Sequence, residues 1–452
     1  MDIKDVKSSI DSVVKRNTAR FFMPGHKGLG SVMLHYDVTE LDGTDNLHHP
    51  QGAIHTAQHL ASVAFGALHT FFCVNGSSVG LHTLIMSICK RGDTLIVDRG
   101  CHISVINALV LNDVRPVFVY PKYNNQFGIN VGIAPDDVAQ AISENPTAKG
   151  VLITTPTYYG VCSDVGSIAN LVHKHNMPLI VDEAHGAHFC FNEALPLSAL
   201  ECGADGVVQS AHKTLTCLTQ GALLHIGTDR IDKQTVQENL NMLHTTSPSY
   251  LIMSSIDGAR CEMKRVGEAR LKRLIAECNK VRKKVNETGA YLCLDKLCDV
   301  YDYDETRIVI NVRNAFDVQA MLRNSYNILV EMVDGLNIVF IPTINNRSTD
   351  FSRLIKALTE IAKALPPYED INNEQMMPRA KLFMPPAQAY YSQIEIVSPE
   401  DAVGKIAARS VYKCPPCMPI LCPGEMVSKE ILQRLVDKVT VVCNTISHLK
   451  SL

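Results

Sequence analysis

A chain of 452 residues and 49.8 kDa can bury a large core and form two or three domains of the usual ~100–200 residues. Its net charge of −3 and pI of about 6.6 offer no basic field to nucleic acid or an anionic membrane, and no apolar run reaches the ~18 residues of a membrane span. The charged N-terminus lacks the apolar core of a signal peptide, and the 15 cysteines lie scattered, many within apolar elements (Cys73, Cys89, Cys278), as reduced thiols of a cytoplasmic protein do.

Strands and helices alternate along the first half of the chain. Strand patterns fall at 70–74, 94–98, 116–120, 150–155, 178–182, 206–209 and 222–226. Several are apolar throughout, as strands of a parallel sheet covered on both faces are. Helical patterns lie between them at 79–90, 103–111, 135–144 and 165–176. The expectation is a doubly wound α/β domain with a mostly parallel seven-stranded sheet, whose ligands bind beyond the carboxyl ends of the strands. An amphipathic helix over 254–287 leads out of it, with Gly289 to end it. Strands at 307–312, 328–331 and 337–341 and a helix at 350–364 read as a small α+β domain. A linker from Leu365 to Arg379 precedes a C-terminal domain with a Pro-rich run, 414–425. The division is an N-terminal arm 1–20, a large domain 21–253, a connector helix with the small domain 254–366, and a C-terminal domain 367–452.

Lys213 stands just past the strand 206–209, within Ser210-Ala-His-Lys213. An amine there can carry an aldehyde cofactor covalently, while Ser210 and His212 can donate to a phosphate. Upstream, Asp182 ends an apolar strand in Asp182-Glu-Ala-His185. Asp after a strand is ordinarily a turn carboxylate, but here it can keep a pyridine nitrogen protonated, and His185 belongs to the same cofactor-binding set. Asn75-Gly-Ser-Ser78 joins a strand to a helix, so Ser77, Ser78 and the free N–H groups of the helix start form a phosphate cup. Ser at that place is most often only an N-cap. His102 follows the strand 94–98 and can stack on a ring face, although a lone His of this kind is more often simply a buried, satisfied residue. Each part is weak alone. Together, in this order, they describe a pyridoxal phosphate site.

Two patterns resemble metal ligands: His185-x-x-His188 with Cys190, and Cys414-x-x-Cys417 with Cys422. The cofactor reading absorbs the first, and the second lacks a fourth ligand, so no metal is expected.

With those residues in hand, the chain resembles the Orn/Lys/Arg decarboxylases of fold type I, in the short form that lacks the N-terminal wing domain, and is most similar to the biosynthetic arginine enzymes. The resemblance rests on Phe22-Met-Pro-Gly-His-Lys-Gly28, Thr39-Glu-Leu-Asp-Gly-Thr-Asp-Asn-Leu-His48, Val74-Asn-Gly-Ser-Ser78, Pro156-Thr-Tyr-Tyr-Gly160, Asp182-Glu-Ala-His-Gly-Ala-His188, Ser210-Ala-His-Lys213, Leu218-Thr-Gln220, Thr245-Thr-Ser-Pro-Ser-Tyr250 and Pro423-Gly-Glu425. It implies that Ser77, Ser78, Ser210 and His212 hold the phosphate, His102 stacks on the ring, Asp182 pairs with its nitrogen, and Lys213 carries it. It implies further that Thr246 reaches a neighbouring subunit's phosphate, giving a homodimer with shared sites or a larger oligomer, and that Glu425 meets the distal cation of a basic amino acid. The implied activity is α-decarboxylation of arginine, or else lysine or ornithine, feeding polyamine synthesis, with His102 or Lys213 returning the proton to Cα. The pattern is broken at Ile103, where the family often has Lys, at 215–222, and at 413–419, where Lys-Cys-Pro-Pro-Cys-Met-Pro replaces a run nearer Tyr-Pro-Pro-Gly-Ile-Pro. Two other readings are an aminotransferase or lyase on the same scaffold, and a catalytically silent paralogue that regulates a true decarboxylase.

Overall fold

The computed structural model describes residues 5–14, 20, 22–296, 298, 300–370, 379–414 and 417–443. Expectations for the rest of the N-terminal arm and for 371–378 in the linker lie outside the described residues.

Seven strands build the central sheet: β1 (His69–Cys73), β2 (Thr94–Asp98), β3 (Arg115–Val119), β4 (Val151–Thr154), β5 (Leu179–Asp182), β6 (Gly206–Gln209) and β7 (Ala222–Ile226). Their order is β1-β7-β6-β5-β4-β2-β3. The five strands from β6 to β3 run parallel, and β7 is antiparallel to both its neighbours. Strands β4 to β7 are almost wholly buried, which explains their unbroken apolar runs. Helices on both faces do the covering, and α1 (Gly76–Ile88) comes so close that a Cβ on Gly80 would lie 3.0 Å from Val208. Because β2, β4, β5 and β6 are parallel, their carboxyl ends bring Asp98, Thr154, Asp182 and Ser210 to one edge of the sheet.

A buried polar chain crosses β1, β7 and β6 to the end of β5. Thr70 donates to Nδ1 of His225 (2.8 Å), His225 Nε2 donates to Gln209 Oε1 (3.1 Å), and Gln209 Nε2 donates to Glu183 (2.7 Å). These partners fix His225 as the neutral Nε2–H form, and burial pulls its pKa down to about 3. The unfolded imidazole titrates near 6.5, so His225 contributes stability above that pH that is lost as pH falls toward 3. Between pH 7 and pH 5 the loss from this one group is about 2 kcal/mol. Burial pushes Glu183 up to about 8, an opposite contribution that the wild type and a His225→Gln variant share. Denaturant unfolding at the two pH values should therefore show the stability advantage of wild type over the variant shrink by about 2 kcal/mol at pH 5. A gap independent of pH would mean that His225 is not held neutral.

The connector helix begins at Tyr250, four residues earlier than its periodicity suggests, because Ser249 caps it by accepting from the Ile252 N–H. It runs through a π-helical turn, Met263–Gly267, into the helix Glu268–Asn286. Beyond it a four-stranded antiparallel sheet forms from Leu292–Cys293, Ile308–Asn311, Asn337–Phe340 and Met332–Val333. The strand expected at 328–331 forms instead at Met332–Val333: Leu329 is 76% exposed, so the apolar run before Glu331 is an approach along the surface and not part of the sheet. In the C-terminal region, Ile394–Val397 pairs with Val439–Val442, and Val411–Lys413 pairs with Met418–Leu421 as a hairpin.

Candidate active site

A cavity of about 280 Å³ opens at the carboxyl edge of the sheet, lined by Ser77, Asp98, His102, Thr154, Tyr158, Asp182, His185 and Lys213 and by Cys414 and Cys417 of the C-terminal hairpin. Five residues expected to hold the cofactor, Ser77, His102, Asp182, His185 and Lys213, thus meet in one space.

Lys213 lies in a four-residue helix directly after β6. Burial lowers its pKa, and Asp182 partly restores it. Its Nζ lies 3.2 Å from Nε2 of His185, whose Nδ1 lies 3.3 Å from Nη2 of the buried Arg307. A guanidinium can only donate, so Nδ1 accepts and the imidazole proton sits on Nε2. That nitrogen faces Nζ of Lys213. Burial, Lys213 and Arg307 together hold His185 well below its ordinary pKa.

Asp182, 3% exposed at the end of β5, accepts from the Ala184 N–H at 3.2 Å. Burial raises its pKa, and the nearby Lys213 lowers it again. His102 caps helix α2 (Ile103–Asn112), its Nδ1 accepting from the Ser104 N–H at 3.1 Å. Its proton is therefore on Nε2. Burial and Lys213 bring its pKa down to about 4, so the ring is neutral. Ser210 donates to Ser77 (2.9 Å) at the start of α1, where no side chain caps the helix and Gly76 turns the chain in at φ +76°. Ser78 is exposed one position further on. His212 lies beside the lysine, its Nδ1 3.0 Å from the Gly221 carbonyl, which leaves Nε2 to face a ligand.

One expected contact turns out otherwise. Glu425 does not line the cavity. It is fully buried, with its two oxygens on Nε and Nη2 of Arg99 (2.9 Å each) and one of them also accepting from the Cys422 N–H (2.7 Å). Arg99 in turn holds the carbonyls of Pro419 and Ile420. A carboxylate so buried and paired is turned away from the cavity; it pins the C-terminal hairpin to the end of β2. Thr246 is exposed and stands away from the cavity of its own chain. Among the metal-like patterns, His188 is taken by Asp304 (3.2 Å) and Thr306 (3.1 Å), and Cys414 is bonded to Cys417. The cysteines expected to be reduced are therefore so at Cys73, Cys89 and Cys278 but not at this pair.

Several residues of the site carried no role in the sequence reading. Arg307 meets His185 across 122 positions of chain, and an Arg ahead of a strand looks like any surface cation. Asp98, pushed up to about 7 by burial, ends β2 as Asp182 ends β5. That shared position was the available signal. Tyr158 lies in a quoted motif, but its partner Glu331 comes from the small antiparallel sheet's approach segment.

The donor set suits pyridoxal phosphate. Uncapped N–H groups and the Ser77 and Ser210 hydroxyls await an anion, a buried carboxylate lies deeper, and the Thr154 hydroxyl opposite Asp182 in the sheet register is buried with no hydrogen-bond partner among the described residues. Fold and site together define a fold type I pyridoxal phosphate enzyme. Comparison with known proteins supports this and narrows it. Residues 10–308 match the family model of the Orn/Lys/Arg decarboxylase major domain. The chain is 37% identical over 438 residues to an arginine decarboxylase of Bacillus subtilis, covering 92% of this chain and 89% of that one. It is 36% identical to an arginine decarboxylase of Halalkalibacterium halodurans, with 94% and 91% covered. The solved lysine decarboxylase A of Pseudomonas aeruginosa superposes with a TM-score of 0.83 at 19% identity, over 95% of this chain and 75% of that one. The chain belongs to the Orn/Lys/Arg decarboxylase family, whose members depend on pyridoxal phosphate.

Proposed function

We propose that this protein removes the α-carboxylate of a basic L-amino acid, arginine first among them, to give the amine and CO2. The observation that carries the reading is the convergence of Lys213, a buried Asp182 and a neutral His102 on one cavity, in a chain 37% identical to an arginine decarboxylase. Pyridoxal phosphate, when bound, takes up the electron pair left at Cα as CO2 departs. The protein's part is to place and protonate. Asp182 keeps a proton on the pyridine nitrogen, and its low-dielectric surroundings strengthen that pairing. Ser77, Ser78, Ser210 and His212 anchor the phosphate at the start of α1. Lys213 would carry the cofactor and, once freed by the substrate amine, would be placed to hold a proton for Cα. His102 would hold the ring in place from the start of α2.

The substrate's distal cation needs a carboxylate, and with Glu425 committed to Arg99 that role passes to Glu331. It accepts from the hydroxyl of Tyr158, which lines the cavity, and its charge is felt by Lys213. Glu331→Gln should raise KM for arginine roughly tenfold or more, the worth of one charge-assisted hydrogen bond. An unchanged KM would remove Glu331 from the pocket.

The exposed Thr246 supports a homodimer in which that residue completes the neighbour's phosphate site, and the amine product suits polyamine synthesis in the cytoplasm. Following CO2 against 2-oxo acid with arginine as substrate tests the reaction type: CO2 without oxo acid is expected, and oxo acid would mark an aminotransferase. Asp182→Asn should lower turnover by roughly 10²-fold or more, since the amide cannot hold the nitrogen's proton.

A further inference from the structure

We propose that Cys414 and Cys417 form a redox-active dithiol–disulfide pair in the wall of the substrate cavity, exchanging with low-molecular-weight thiols, and that its state sets how readily the cavity accepts substrate. The two cysteines form the tip of the hairpin Val411–Lys413/Met418–Leu421, and both line the cavity that holds Lys213 and His102. Their Cα atoms are 4.1 Å apart and their sulfurs are bonded. Cys417 has φ +61°, the left-handed region where a side chain costs about 1 kcal/mol or more and glycine is free. A cysteine kept at such a position needs a compensating contact, and the bond to Cys414 is one.

The tip is also joined to the catalytic groups. The Cys417 carbonyl accepts from the N–H of Ile103 at 3.0 Å, the first residue of α2, directly after His102. Opening the disulfide frees the tip to change shape at the anchor point of the stacking histidine. The buried thiols are poor rivals. Burial raises the pKa of Cys73, Cys101 and Cys422, so they stay protonated, whereas Cys414 is exposed to attack.

The exchange balances with an external thiol. A thiolate attacks Sγ of Cys414, the Sγ–Sγ bond breaks, and Cys417 leaves as a thiolate that takes a proton. A second external thiolate attacks its partner's sulfur in the mixed disulfide, releasing Cys414 and a small disulfide. Two electrons pass from the two external sulfurs to the protein pair.

The exchange stands by itself, while the effect on substrate entry rests on the decarboxylase reading. The test equilibrates the cofactor-loaded full chain in glutathione buffers from fully reduced to fully oxidised. Each sample is then alkylated, digested and weighed, and KM for arginine is measured alongside. The exposed Cys261 reports mixed-disulfide formation by a single thiol in the same buffers. The 414–417 peptide should pass from two alkylated thiols to none across the series, with KM differing roughly threefold or more between the ends. Cys414→Ser and Cys417→Gly should each lose that response, the glycine variant without backbone strain. A peptide that stays in one state across the whole series overturns the proposal, as does a KM that is the same in both states. If no CO2 appears in either state, the decarboxylase reading is what has failed, and the alkylation series still decides the exchange.

Discussion

Lys213→Ala abolishes CO2 release, with a loss on the order of 10⁴-fold, the upper end of what a positioned acid–base group supplies, here compounded with loss of the cofactor's covalent carrier. The physical basis is the chain Arg307–His185–Lys213: a guanidinium that only donates sets the His185 proton on Nε2, and that nitrogen lies 3.2 Å from Nζ of Lys213. Borohydride treatment of the loaded wild type followed by peptide mass spectrometry should find the pyridoxyl group on the peptide containing Lys213. In the variant it should be absent. A pyridoxyl group fixed at some other lysine would refute the assignment.

Replacing Glu425 by Ala costs about 3–5 kcal/mol of folding stability, because it strands a buried guanidinium. Arg99 and Glu425 are both fully buried and share two parallel hydrogen bonds of 2.9 Å. The ring of Phe118 lies 5.4 Å from the guanidinium, and neither side chain of the pair is exposed. Denaturant unfolding measures the loss, which should appear equally in the presence and absence of arginine. If Glu425 instead met the substrate, the variant would fold as well as wild type and show only a raised KM.

These two residues mark the limits of what the sequence discloses. Lys213, Asp182, Ser77 and Ser210 are legible because each follows a strand of a parallel sheet, and topology alone brings the carboxyl ends of such strands together. Strands β4 to β7 are legible for a related reason: burial on both faces leaves unbroken apolar runs. Glu425 misleads because motif membership says that a residue matters and not what it touches. Its neighbours Arg99, Pro419 and Ile420 become neighbours only when the C-terminal hairpin docks on β2. Arg307 and Glu331 are illegible for the same reason, each reaching the site from an element far along the chain. The strand at Met332–Val333 was displaced in the reading because Ile328, Leu329 and Val330 have strand-like side chains on a segment that packs along the surface. Cys414 and Cys417 stood out in the sequence, but only their placement on the cavity wall gives them a use.

The most direct test of the central claim is CO2 release by the cofactor-loaded protein with L-arginine, L-lysine and L-ornithine side by side, with Lys213→Ala as control. CO2 from arginine in preference to the other two, lost in the variant, is the predicted result. A loaded protein that releases CO2 from none of the three would contradict the account.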